Sequence, residues 1–219
     1  MFYVCGDYMK KSVVSTILFI ALTFCADAAS AQSTKNSMVS QENSKFQAIV
    51  PKAAWEKIFF EPINERVKSY KLSDLRLKGL PANDLEMRLW TGFGKAPLEG
   101  FILKRNSGEW SARHLGWEYP KAGNGKVKAK QVVQKLTDPK AGWDAAWKKL
   151  TDAGILTLPD AEGINCSGNA FDGTGYVVEY NLKNVYRTYM FDNPKYAECA
   201  EAQQMIKIVQ IIRKEYYDG

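Results

Sequence analysis

Apolar positions along this chain follow three rhythms, and each predicts a different kind of segment. The first is unbroken: Val13 to Phe24 carries no charge, follows Lys10 and Lys11, and precedes Ala29-Ser30-Ala31-Gln32. A basic start, an apolar run too short to span a bilayer and a small-x-small site predict a secretory signal peptide over residues 1–31. Met1 to Tyr8 contains Cys5 and Asp7, unlike the start of such a leader, which points to Met9 as the true start. Lipoprotein processing at Cys25 is disfavoured, because the residue before it, Phe24, is large.

The second rhythm has a period of two. Leu85, Met87 and Leu89 alternate with Glu86, Arg88 and Trp90, which predicts a half-buried strand. Phe101–Lys104 and Glu109–Leu115 flank Asn106-Ser107-Gly108 as a hairpin, and Lys126–Leu136 reads as a further strand after a glycine-rich loop. Tyr176–Tyr180 and Val185–Phe191 flank the turn-rich Asn181–Asn184 as a second hairpin. Centring that turn on Leu182-Lys183 sets Arg187 opposite Val178, among Tyr176, Tyr180 and Tyr189, where a cation–π or hydrogen-bonding role within the fold is expected.

The third rhythm is helical. Pro51 starts a short helix with Trp55, Ile58 and Phe59 on one face, Pro62 interrupts it, and a second stretch runs from Ile63 to Tyr70. Over 138–154 a helix is bounded by Asp138 as cap, Pro139 in its first turn and Gly154 after its last, with Trp143, Trp147 and Leu150 as its buried stripe. A final helix from Tyr196 to Tyr217 places Met205, Ile208, Val209, Ile212 and Tyr216 on one face. These elements predict an α+β fold: a single domain over 45–219, with an antiparallel sheet of five to six strands and helices on one side. Residues 32–44, rich in Ser, Asn and Gln, form a flexible arm before it.

Charge and cysteines refine this picture. The net charge is +6, and Lys104 to Lys149 alone holds eleven basic residues against four acidic ones. Cys5 and Cys25 fall in the leader, so Cys166 and Cys199 remain; in an oxidising compartment they are expected to pair, and the expected hairpin register brings them to its open end.

From Trp147 onward the chain resembles a scattered group of uncharacterised, signal-bearing bacterial proteins. The resemblance rests on Trp147-x-x-Leu150, Gly154-Ile155, Leu158-Pro159-Asp160, Gly175-Tyr176 with Val178-Glu179, Tyr186-Arg187-x-Tyr189 and Asn193-Pro194 before the last helix. It covers about a third of the chain, implies a bacterial periplasmic or secreted setting, and brings no activity.

Catalytic signatures are few. His114 is the one histidine, no Gly-x-Ser-x-Gly elbow accompanies it, and pairing would remove the Cys166 thiolate. With no histidine pair and no Cys-x-x-Cys, no zinc site is expected, and no cofactor is called for. Asp160, Glu162, Asn165, Asn169 and Asp172 offer oxygen ligands, but not at calcium-loop spacing. Glu86, Glu99, Glu109, Glu118 and Glu179 lie on or near strands, where a glycan-hydrolysing pair can converge.

The remaining handle is basic and aromatic. Lys121, Lys126, Lys128, Lys130 and Lys135 run beside Trp110, Trp117 and Tyr119, a combination suited to an acidic envelope glycan, a lipid headgroup or an acidic protein. Alternate lysines also guard a sheet edge against aggregation. The reading that follows is an exported, non-enzymatic binding module of a bacterial envelope. Nucleic acid is not an expected partner, and no membrane span is expected after leader cleavage. A secreted hydrolase inhibitor and a glycan hydrolase are the alternatives.

Overall fold

A computed structural model of the chain describes residues 46–51, 56–93, 97–118, 129–166 and 173–218. The leader, the arm, Trp55, Tyr119, Lys121, Lys126 and Lys128 lie outside them, as do the side chains of Ile58 and Phe59. The ordered elements are β1 (Gln47–Ile49), α1 (Glu56–Ser69), β2 (Leu85–Thr91), β3 (Glu99–Asn106), β4 (Glu109–Glu118), β5 (Lys130–Lys135), α2 (Trp143–Asp152), β6 (Gly175–Leu182), β7 (Val185–Asp192) and α3 (Ala200–Tyr216). The α+β class holds. The sheet differs from expectation: it has seven strands in the order β1-β7-β6-β2-β3-β4-β5, and β1 runs parallel to β7, so the sheet is mixed.

Helices also cover both faces rather than one. Leu85, Met87 and Leu89 share a core with α2 and α3. Trp90 packs on the other face with Phe60 and Ile63 of α1. Alternation in β2 therefore separates two buried environments, not core from solvent; Glu86 and Arg88 are 3% and 1% exposed. The alternating pattern gives no warning of this, because a second cover supplied from elsewhere in the chain leaves the period unchanged. Pro62 lies inside α1 and does not end it. Its missing N–H removes one helical bond, while Ile63 beside it is buried.

Helix α2 begins later than expected, after Gly142, whose N–H bonds the Pro139 carbonyl in a turn. Its end matches: Gly154 has φ +94°, Gly154 N–H bonds Thr151 O and Ile155 N–H bonds Leu150 O, the paired bonds of a Schellman cap. In α3 the expected face is buried, although the helix starts at Ala200 with the Cys199 sulfur accepting from Ala202 N–H.

The β6–β7 register is shifted by two residues. Leu182 pairs with Val185, so Lys183 and Asn184 form the turn, at φ +52° and +63°. A turn of this hand needs two left-handed residues, and Asn accepts that conformation where a bulky Leu does not. An even shift preserves facing, so Arg187 stays beside the tyrosines but opposes Tyr180. Its guanidinium lies 5.2 Å from the Tyr189 ring and donates to the Leu156 and Leu158 carbonyls. Cys166 and Cys199 are joined, with Cα atoms 6.0 Å apart.

Candidate functional site

The basic, aromatic set does not form one surface among the described residues. Trp110 faces α2, its ring stacked 6.3 Å from Trp143 and its Nε1 donating to Asp144. Trp117 lies on the opposite face, under the Arg66 guanidinium of α1 at 4.2 Å. Lys130 and Lys135 are both exposed, and five residues apart on one strand they point to opposite faces. Each tryptophan is thus engaged inside the fold, and the described lysines flank an edge strand.

A different constellation assembles below the end of α3. The strand registers align Leu89 with Phe101 and Phe101 with His114, which sets three side chains in a row across one face. Over this row α3 lays Val209 and Ile212, three apart and on one side of the helix. Between them lies a cavity of about 380 Å³ whose rim carries Glu99, His114, Arg213 and Asp218. Tyr217 closes one side, edge-on to the His114 ring at 5.5 Å. Phe101 packs behind it, 5.0 Å from the Tyr216 ring.

Charge in the cavity is partly committed. Glu99 Oε2 lies 3.5 Å from His114 Nε2. Gly116 makes room for this ring, since a Cβ there would meet His114 Cε1 at 2.8 Å. Burial raises the Tyr217 hydroxyl pKa above its ordinary value of 10.0; the Glu99 charge adds to the shift and Arg213 opposes it. The helix end is held in place by α2 and the turn before it: Lys149 Nζ donates to Glu215 Oε1 at 2.7 Å, and Ala141 N–H to Glu215 Oε2 at 3.0 Å. Those contacts lower the Glu215 pKa from 4.5, with the Lys149 bond the largest cause.

The second face holds a buried polar network, in which Nη1 of Arg88 has no hydrogen-bond partner among the described residues. Arg88 Nε and one terminal nitrogen donate to Glu86 Oε1 at 2.8 and 2.6 Å, and that nitrogen also donates to the Ser73 carbonyl. Glu179, paired with Arg88 across β2 and β6, accepts from Trp90 Nε1 at 2.6 Å and from the Tyr186 hydroxyl at 2.9 Å. Burial, followed by the Glu179 charge, raises the Tyr186 pKa. Both carboxylates are occupied and sealed, at 3% and 2% exposure, so neither reaches a substrate.

No protein-family model matches the chain, and no curated protein matches it. The site is therefore read from its own geometry. Among the described residues no helix is long and apolar enough to cross a membrane, and no three His, Cys, Asp or Glu side chains cluster as metal ligands do. Asp160, one of the oxygen donors noted in sequence, accepts from Met190 N–H at 2.9 Å and from Glu162 N–H at 3.2 Å.

Sequence reasoning treats His114 as an ordinary strand residue and does not single out Arg213, and both line the cavity. A weak signal does exist: the apolar stripe of the last helix runs on into Tyr216 and Tyr217, more aromatic surface than a frayed helix end needs.

Proposed function

We propose that the protein is an exported binding protein of a bacterial envelope, and that it takes a small ligand into the cavity beneath the end of α3. The observation that carries this reading is a cavity of about 380 Å³ with Leu89, Phe101, Val209 and Ile212 as walls and ionisable groups gathered at its rim. Ligand sites are commonly apolar concavities of about 300–1,000 Å³ with a few converging polar groups that fix orientation. The leader and the joined cysteines support an oxidising, exported setting. The lysine-rich 121–135 region then serves as an edge guard or as a contact for acidic glycan, lipid headgroup or acidic protein outside the cavity.

The test is thermal unfolding against envelope glycans, lipid headgroups and small amphiphiles, repeated with Thr91→Phe, which fills the cavity from β2. Binding to the native state raises the midpoint by mass action, and about 100 Kd of ligand stabilises by ~2.7 kcal/mol. A shift lost in Thr91→Phe supports the reading; a shift retained there moves the site elsewhere.

One observation favours a second reading. Glu99 and Asp218 both line the cavity, and a glycan hydrolase needs two carboxylates facing one bond. Turnover of a glycan substrate that is abolished by Glu99→Gln, with folding unchanged, would establish it.

A further inference from the structure

We infer that the ligand is a single-chain amphipathic anion, with its tail in the apolar cavity and its carboxylate or phosphate head on Arg213. This rests on the cavity being a ligand site and goes on to name the chemistry it selects. A second cavity, of about 440 Å³, shares Tyr176, Val209 and Arg213 with the first. The two compartments thus meet along one edge of α3, and they differ in character. The first is walled by leucine, phenylalanine, valine and isoleucine; the second is mixed, with Lys195, Tyr196 and Gln210 beside Pro194 and Ile206. A ligand spanning the junction therefore has an apolar end and a polar end.

Charge decides the sign of the polar end. At the junction stands Arg213, whose guanidinium has no hydrogen-bonded or ion-paired partner among the described residues. Lys195 stands exposed in the second compartment. On the acidic side, Glu99 faces His114 at 3.5 Å, and Glu99 and Asp218 line the first compartment but not the second. The charged side chains that line the second compartment, Arg213 and Lys195, are thus both positive. A planar guanidinium matches the two oxygens of a carboxylate or phosphate through parallel N–H donors, a geometry no amine or alcohol head can use. An aliphatic tail buried among Leu89, Phe101 and Ile212 supplies the non-directional share of affinity.

The experiment titrates the full chain with octanoate, octyl phosphate, 1-octanol and octylamine, followed by intrinsic fluorescence and calorimetry, with circular dichroism as a check on folding. The expected result is saturable binding of the two anions, about tenfold tighter than octanol, a margin worth ~1.4 kcal/mol, with octylamine weakest. The stronger of octanoate and octyl phosphate tells a carboxylic acid from a phosphate ester. Arg213→Gln is expected to bring octanoate down to the affinity of octanol and to leave octanol unchanged. Octanol binding as tightly as octanoate overturns the anion assignment while keeping the cavity as a ligand site. Octylamine binding tightest overturns it in favour of an acidic head site at Glu99 and Asp218. No binding of any of the four to folded protein overturns both the inference and the cavity reading.

Discussion

The two faces of strand β2 are equally buried and held by different physics. On one, Leu85, Met87 and Leu89 meet the helices α2 and α3 through apolar contact alone. On the other, Glu86 and Arg88 are locked into an ion pair, and Trp90 donates to Glu179. Burial on the first face scales with area and has little directional demand, so shape-preserving exchanges are tolerated. The second face binds its parts through oriented donors and acceptors, and losing one partner strands a charge away from water. The difference explains how one strand can sit at the centre of a sheet with two such unlike neighbourhoods.

The sharpest way to break the contrast is to remove one charge. Arg88→Ala leaves Glu86 buried without its main partner, and the expected loss is about 3–5 kcal/mol in denaturant unfolding. Met87→Leu, the neighbouring position on the apolar face, is expected to lose under ~1.5 kcal/mol. Equal losses for the two would show that the faces do not differ in this way. A gentler probe is Trp90→Phe, which keeps a buried aromatic ring, though a smaller one, and takes a donor from Glu179. That loss is expected at about 1–3 kcal/mol, the cost of an unsatisfied buried acceptor.

The smallest effect tests Glu215, a carboxylate that ties α3 to α2. Glu215 has a pKa below 4.5 in the folded protein, so its contribution is fully present above that value and disappears as pH falls through the lowered one. Lys149→Met removes the largest cause of the shift. The variant is expected to be less stable by about 1 kcal/mol at neutral pH and to show a shallower loss of stability below pH ~4.5. Identical acid unfolding curves for the two proteins would remove Glu215 from the acid response.

How much of this was legible in the sequence follows from how local each signal is. The Ser107-Gly108 turn, the Gly154 cap and the α3 stripe are each written within a few residues, and each is found where expected. Two features depend on partners far along the chain and were misread. The cover over Trp90 comes from α1, whose pattern is interrupted by Pro62, and β1 is three residues whose pairing partner lies beyond residue 184. The cavity was invisible for the same reason. Leu89, Phe101, His114 and Ile212 come from four elements, and no spacing in the chain records that three strands and a helix end will converge. The cysteine pair was found through a hairpin register that is itself shifted by two, because facing depends only on parity and the pair lies outside the ladder.

The strand order carries a kinetic consequence. Leu85 at the start of β2 pairs with Leu182, and Gln47 in β1 pairs with Val185, so the middle of the sheet cannot close until the last third of the chain is present. Assemblies that depend on such distant pairings form slowly. A polypeptide threaded N-terminus first through a narrow pore could therefore pair β2 to β5 early, but its sheet would stay open at β2 until β6 and β7 emerge.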